Sequence, residues 1–517
     1  MITPIINNAP GKNYDSEFCG SIPTHLINLI QPHGALLVLE KASLKIVQGS
    51  ENTEQIMGMP VAQLLNQSLE DYVEAPQVEA IREKITRFTI KDQIPVDIRF
   101  NPKVRPVVLT TSIHIRDEYV LLELEETKQD VPQQSFLTVY QEVKYIMAAL
   151  KEARNWEEIG RIAIPEIKRL SGFDRVMLYR FDEQWNGTVV AEAREEQLEP
   201  YLHLRFPASD IPKQTRDLYF KNPYRLIPNR NYTPVKLKPV VNPLTSTFTD
   251  LSECALRGVP PVHVAYLKNM DVAASMSTPI IVNNQLWGLI SCHHQTPRYP
   301  NYEMRSAFEL LSNVMAAQLA FREREQLLQD QSELDRIGAR LVERMYTQKD
   351  FVIGLTDHSP NITDLLRAQG VVIVHDGVYK TVGATPPLNQ IKEIVRWLQL
   401  NQVEKIFATN HLSDAFSLST LNPEVASGLI ALPISLRKGE YVLGFRPEVI
   451  QTVEWGGNPN QAIHFEADGK TYHPRNSFSI WKEQVRNTSL PWQTQEIEAA
   501  DRLRISFLER VLKDKSE

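Results

Sequence analysis

The chain has 517 residues, 42% hydrophobic and 23% charged, a globular balance that excludes a disordered chain or a disulfide-held miniprotein. Its length predicts three to four domains at about 150 residues each. Lys and Arg total 56 against 63 Asp and Glu, a net charge of −7, which opposes nucleic acid or an anionic membrane as the main partner. No apolar run approaches the ~18 residues of a membrane span. The opening residues Met1 to Asn8 lack the basic-then-apolar pattern of a secretory signal. Three widely spaced cysteines, Cys19, Cys254 and Cys292, exclude a disulfide framework. A cytoplasmic protein is expected.

To about residue 130 the chain reads as strands. Ala35 to Leu39 and Leu44 to Val47 flank a polar turn as a hairpin does, Val96 to Phe100 alternates with period two, and Val107 to Leu109 and Val120 to Leu124 extend the sheet. The polar stretch from Lys128 to Gln134, with Pro132, marks a boundary. A helical stripe follows at Val139, Val143, Ile146, Met147 and Leu150, then a strand at Arg175 to Tyr179 and a hairpin over Thr278 to Ile290. Between these strands, residues 200–262 are proline-rich and aperiodic, which marks them as the place to look for a site. From Tyr302 to about Met345 an uninterrupted stripe (Met304, Phe308, Leu311, Met315, Leu319, Leu327, Leu334, Ile337, Leu341, Met345) predicts one long helix, a connector and dimer interface, the alternative being two shorter helices broken near Gly338. The hairpin Leu432 to Phe445 repeats the pattern of the Pro279 to Gly288 hairpin, so the second and third domains are expected to share a fold. A last helix from Thr494 carries Ile497, Ala500, Leu503, Phe507 and Val511 on one side and ends as a connector to a further module would.

Catalytic motifs are weak. Gly469-Lys470-Thr471 imitates the end of a phosphate loop, but His464 stands where its first glycine belongs. In Cys292-His293-His294 only Cys292 and His294 share a strand face, no second ligand cluster follows, and no metal is expected. Nothing marks an oxyanion hole for a Cys–His pair. No enzyme activity is expected of these residues.

Three motifs carry a resemblance. Leu204-Arg205-Phe206-Pro207-Ala208-Ser209-Asp210-Ile211-Pro212, the run Arg257 to Met270 around His263, and Leu286 to His294 resemble motifs of the phytochromes, and Trp455-Gly456-Gly457 with Pro474-Arg475-Asn476-Ser477-Phe478 resembles the tongue of their last domain. The resemblance spans essentially the whole chain and implies an α+β protein of three tandem domains (PAS, GAF and GAF-like PHY), with antiparallel central sheets joined by long helices. The implied bounds are an extension at 1–18, PAS at 19–130, GAF at 131–322 and PHY at 323–517, with the tongue at about 445–482. Val262 stands where plant-type members have the linking cysteine, whereas Cys19 stands upstream of Ile30-Gln31-Pro32-His33-Gly34 as in bacteriophytochromes. The implied cofactor is therefore biliverdin IXα, linked through Cys19.

The resemblance also implies roles. Arg225 and Arg257 match the residues that hold the two propionates, assisted by Tyr219, Ser275 and Ser277. The Asp210 carbonyl and His263 match the partners of the pyrrole nitrogens, and His293 matches the donor to the terminal-ring carbonyl. Tyr179, Tyr201, Phe206 and Tyr266 match that ring's cage, and Ile211 and Pro212 complete the pocket. Arg475 matches a tongue residue that pairs with Asp210 in the red-absorbing state, with Ser477 its replacement after photoconversion. Two departures stand out: Pro260 replaces a serine and Asp271 a glycine. The function implied is red/far-red photoreception in a homodimer, signalling to a histidine kinase output module and a response regulator outside this sequence. The rival readings are a GAF-type sensor of a small soluble ligand without photochemistry, and a cysteine-dependent enzyme built around Cys292.

Overall fold

The structure, a computed structural model, describes residues 25–87, 94–100, 107–126, 136–416, 421–459, 463–465, 472–474 and 478–514. Cys19, Arg475 and Ser477 lie outside the described residues. The chain divides into two compact units: Asn13–Arg322 with Glu454–Trp481, and Glu323–Val453 with Lys482–Glu517.

The larger unit holds two domains. The first is built on an antiparallel sheet in which Gly34–Glu40 lies between Ile46–Ser50 and Tyr119–Glu126, followed outward by Val107–Ile115 and Ile94–Phe100. These are the predicted strands. Their alternation fills one face with Leu37, Leu39, Ile98, Ile113 and Leu122 against short helices, while Leu36, Val38 and Leu121 face Leu251 and Leu256 of the second domain. The sheet continues through Val235–Lys238 of the second domain, which pairs with Ile46–Ser50 on one side and with Leu29–Ile30 on the other. Gly34 sits at this junction because a Cβ there would lie 2.6 Å from the Leu124 carbonyl oxygen and against the Leu256 side chain.

The second domain's sheet runs Arg225–Ile227, Ala274–Val282, Gln285–His294, Arg175–Phe181, Gly187–Arg194, Arg205–Phe206. One face is covered by Phe136–Lys151, Trp156–Ser171 and the first part of Tyr302–Thr347, through Ile164, Phe308, Leu311 and Met315. The other face carries the candidate site. Helix Tyr302–Thr347 is unbroken over 46 residues, as its proline-free stripe predicts, and Gly338 does not interrupt it.

In the smaller unit the sheet order is Val378–Gly383, Gly370–His375, Glu440–Arg446, Gly428–Ser435, Phe407–Thr409. One face packs on Leu388–Leu400 and the other on Leu334, Leu341 and Met345 of the long helix and on Leu503 and Phe507 of Thr494–Asp514. The repeat seen in the hairpins is topological. In both sheets the C-terminal hairpin lies beside the domain's first two strands, with its second strand innermost. In both hairpins the register also shifts, between Ile280 and Ile281 and between Pro433 and Ser435, the local irregularity of a β-bulge.

One ion pair ties the first domain to the root of the long helix. Arg305 donates to both carboxylate oxygens of Glu125, at 2.9 and 2.7 Å, and Tyr299 donates to the same carboxylate. Both charged residues are buried. Burial alone would raise the Glu125 carboxyl; the Arg305 charge, neighbouring His33 and these hydrogen bonds overcome it and hold the group at about 2. Its folded value lies below the ordinary one of about 4.5, so its stabilisation is complete above that pH and is lost as pH falls toward 2. Glu125→Gln leaves Arg305 charged in a dry site and is expected to lower stability at pH 7 by about 3–5 kcal/mol, read as a fall in the urea midpoint.

Candidate functional site

The site is built first by strand alternation. In Ala274–Val282, Ala274 and Met276 point into the core and Ser275 and Ser277 to the opposite face. Register then places Arg225 opposite Ser277, and His293 opposite Ser275, so four predicted residues line one face of three strands. Cys292 falls on the other face, wholly buried in the apolar core, where burial raises its thiol. His294 is engaged elsewhere: its Nδ1 accepts from the Asp174 backbone N–H at 3.1 Å. The two do not form a joint site, and a buried, protonated Cys292 is no nucleophile.

A second wall is the helix Pro261–Asn269, opened by a proline at its first position. Arg230 caps its far end by donating to the Leu267 and Val272 carbonyls, at 3.0 and 2.8 Å. His263 and Tyr266, three residues apart, share a face, their rings nearly parallel at 5.9 Å. The Tyr266 hydroxyl donates to Asp210 Oδ2 at 2.9 Å. Asp210 ends a single 3₁₀ turn, and Ile211 and Pro212 lead from it into Lys213–Leu218, which Tyr219 closes. Tyr219 Oη lies 2.7 Å from Ser277 Oγ. The two departures fall at the ends of this helix. Pro260 caps its start, and Asp271, after its end, takes φ 55°, the left-handed conformation that glycine adopts without strain.

The aromatic wall comes from the sheet. Tyr179, Tyr201 and Phe206 pack together, with centroids 6.1 Å apart for Tyr179–Phe206 and 5.9 Å for Tyr201–Phe206. Gly187 is required beside them, since a Cβ there would overlap the Tyr179 ring. The segment 454–481 belongs to this unit: Phe478 packs on the cluster and meets Tyr266 edge-on at 5.2 Å. Trp455 pairs in parallel with Arg205, whose guanidinium lies over its ring at 5.2 Å. Gly456 makes room for Phe206, and Gly457, at φ 101°, donates to the Ser479 carbonyl. Pro474 lies in the two-stranded pairing of Ile463–Phe465 with Tyr472–Pro474. Thus Trp455, Gly456 and Phe478 meet the predicted pocket.

The electrostatics are distinctive. Arg225 and Arg257 have no carboxylate within ion-pair distance among the described residues, and Nη1 of each is buried without a hydrogen-bond partner. Burial lowers both, and proximity to Arg257 helps push Arg225 down to about 9. Burial also lowers His263 to about 4 and His293 to about 3, aided by the charges of Arg225 and Arg175 respectively, and His293 Nδ1 is unpartnered. Yet Arg225, His263 and His293 each keep part of their surface accessible. Groups shielded from bulk water but open on one side line a cleft.

Sequence reasoning missed the pair Arg175–Glu192, buried at 3.0 Å behind the aromatic wall. The Arg175 guanidinium covers the Tyr201 ring at 3.8 Å, and Glu192 Oε2 accepts from the Tyr201 and Leu202 amides. Two charges in the alternating strands Arg175–Phe181 and Gly187–Arg194 were the available signal. Among the described residues two groups of ligand-type side chains also occur. In one, His114 and Glu123 bond directly at 2.6 Å beside Cys254; in the other, Lys438 already sits 3.2 Å from Asp376 beside His375 and Glu440.

Tandem sensor domains with a polar cleft walled by aromatics define the class, and the comparisons with known proteins agree. Family models match as a PAS fold (residues 19–127), a GAF domain (155–322) and the phytochrome region (334–516). The chain is 42% identical over 504 residues to cyanobacterial phytochrome B of Nostoc sp., covering 97% of this chain and 67% of that protein. It is 32% identical over 506 residues to a bacteriophytochrome of Xanthomonas campestris, covering 95% of this chain and 78% of that protein. The wild-type phytochrome photosensory core module of Stigmatella aurantiaca superposes with a TM-score of 0.82 at 36% identity, over 96% of this chain and 99% of that one. The chain belongs to the phytochrome family, and its function is that of a red/far-red photoreceptor whose chromophore is a linear tetrapyrrole. It spans about two thirds of the length of the first Nostoc relative. Among the described residues no helix is long and apolar enough to cross a membrane.

His263 and His293 have folded values below the ordinary imidazole value of about 6.5, so the folded chain binds fewer protons than the unfolded one as pH falls below it. Their contribution to stability is complete above pH ~6.5 and is lost as pH drops toward 4 and 3. Selectively labelled histidine NMR of the chain without added ligand is expected to show both rings neutral at pH 5.5, when exposed histidines are charged.

Proposed function

We propose that the chain is the photosensory part of a bacteriophytochrome that holds biliverdin IXα through Cys19. The observation that carries this reading is the pair of shielded guanidiniums of Arg225 and Arg257, without an ion-pair partner among the described residues, since biliverdin brings two carboxylates. Bound biliverdin would supply visible-light absorption and Z/E isomerisation at a methine bridge. The protein's part is to bind and orient. Arg225 and Arg257 donate to the propionates, with the Ser275, Ser277 and Tyr219 hydroxyls assisting. Neutral His263 and the Asp210 backbone carbonyl serve the pyrrole nitrogens, and His293 donates to the terminal-ring carbonyl. Tyr179, Tyr201, Phe206 and Tyr266 enclose that ring, with Ile211 and Pro212 alongside. Cys19 would hold the group covalently: its thiol would add across a vinyl double bond, the S–H and π bonds giving way to C–S and C–H bonds with no net redox change.

Switching follows from the segment 454–481. Asp210, oriented by Tyr266, pairs with Arg475 in the red-absorbing state, and Ser477 takes over after photoconversion, with Trp455, Gly456, Gly457, Pro474 and Phe478 shaping the tongue. Domain bounds of 19–130, 131–322 and 323–517 fit this scheme. The full protein is proposed to be a cytoplasmic homodimer whose C-terminal helix leads to a histidine kinase acting on a response regulator.

Reconstitution with biliverdin is expected to give a red-absorbing form that red light converts to a far-red-absorbing one; absence of photoconversion would favour a dark ligand sensor. Cys19→Ser should abolish zinc-enhanced bilin fluorescence on denaturing gels, while Cys254→Ser and Cys292→Ser retain it. Arg475→Ala should keep attachment yet impair formation or lifetime of the far-red-absorbing state. A tenfold shift there corresponds to about 1.4 kcal/mol of differential interaction, and wild-type photoconversion and reversion rates would exclude the tongue pairing.

A further inference from the structure

Arg225 and Arg257 lie on separate segments, and among the described residues neither has an ion-pair partner to fix it. The segments that carry them converge on one side chain of the first domain. Gln31 is 1% exposed and directs Nε2 at the Leu226 carbonyl (2.9 Å) and at the Ala255 and Arg257 carbonyls (both 3.4 Å). Its backbone N–H donates to the Leu256 carbonyl at 2.7 Å. On either side, Leu29 accepts from Gly258 N–H at 2.8 Å, and Glu123, also of the first domain and hydrogen-bonded to His114, accepts from Leu256 N–H at 2.6 Å. Arg225 Nη2 closes the ring on the Gly258 carbonyl at 2.9 Å. Residues 255–258 and 226 are thus docked on a first-domain cradle, with Gln31 Nε2 bridging the two segments. A carboxamide offers two N–H donors in a fixed plane, so it constrains the distance between the segments it joins.

We infer that Gln31 is a positioning residue that sets the spacing of Arg225 and Arg257, and so selects a ligand carrying two carboxylates over one whose carboxylates are masked. This deepens the proposed function and rests on it. Ligand affinity depends on preorganisation of the binding groups. A Gln31 variant that lets the two segments drift loses the second carboxylate contact while the ring contacts of the cleft persist. A purely structural role lowers binding of both ligands together.

The test is competition. The chain is incubated with an equimolar mixture of biliverdin and biliverdin dimethyl ester, and the captured ratio is read by mass spectrometry of the complex, with near-UV circular dichroism reporting folding. Wild type is expected to favour the diacid. Gln31→Leu, close in size but without donors, is expected to cut that preference at least tenfold. Gln31→Asn, which keeps the amide on a shorter stem, should give a smaller loss of the same sign and carries the comparison if the leucine variant misfolds. An unchanged ratio in a folded variant, or misfolding of both, overturns the positioning role and leaves the photoreceptor reading standing. Capture of neither tetrapyrrole by wild type overturns both.

Discussion

Two positive charges with no counter-charge among the described residues are the constraint around which the second domain is organised. Holding Arg225 and Arg257 in a shielded cleft costs desolvation and mutual repulsion, which their lowered titration reflects. A structure retains such an arrangement only where the rest of the fold over-determines it. Here the determinants are backbone contacts rather than opposing side chains: Arg225 is locked in a strand opposite Ser277 and Arg257 in a loop docked on the first domain. The cleft is therefore charged before a ligand arrives. Charge-assisted contacts of about 1.5–3 kcal/mol each are available to an incoming diacid without side-chain reorganisation, and binding in turn stabilises the folded chain by mass action.

The histidines complete the same logic. Two imidazolium ions beside two guanidiniums would make the cleft untenably positive, and burial resolves this by keeping His263 and His293 neutral. A neutral imidazole offers one donor and one acceptor nitrogen, whereas the charged form only donates. The cleft thus separates roles by environment, with cations at one wall, neutral mixed hydrogen-bonders beside them and aromatic rings beyond. The Arg175–Glu192 pair contributes from behind, fixing Tyr201 through ring and amide contacts while adding a charge that further disfavours protonated His293.

Much of this was legible in the sequence because periodicity reports which face a residue takes. The hairpin Thr278 to Ile290 was readable as apolar strands around a polar turn, and alternation within each strand then separates Ser275 and Ser277 from Met276, and His293 from Cys292. The long helix followed from its unbroken stripe, and the shared plan of the second and third sheets from two hairpins with a proline at matching places. What periodicity does not report is the partner of a buried polar group. Arg305 and Glu125 are 180 residues apart, and Gln31 and Leu226 are 195 apart; nothing local in either segment names the other. The available sign was indirect. Gln31 beside Ile30, like Glu125 at the end of an apolar strand, is a polar group next to apolar neighbours, and once buried such a group must find a partner. The aperiodic stretch 200–262 was identifiable as the site but not its architecture, because its strands are two to four residues long and its order comes from contacts with the first domain.

Those contacts bring the ligand-facing arginines next to the root of the long helix. Tyr224, adjacent to Arg225, lies under the Arg305 guanidinium at 5.4 Å, and Arg305 is bound to Glu125, whose other hydrogen-bond donor, Tyr299, meets the His33 ring at 5.5 Å. His33 follows Gln31 by two residues, so this buried polar cluster and the cradle beneath Arg257 are built on one short run of the first domain. All of its members are buried or half-buried, and Arg305, Glu125 and Tyr224 keep less than a tenth of their surface exposed. In a close-packed interior a displacement of one member is not absorbed by its neighbours without repacking. A strand shift at Arg225 therefore bears directly on Tyr224 and Arg305, and through Arg305 on the first turn of Tyr302–Thr347. Contiguity of this kind is one physical route from the ligand-facing arginine to the helix, and the bidentate Arg305–Glu125 pair, which holds only where both N–H groups reach the carboxylate, is its tightest link.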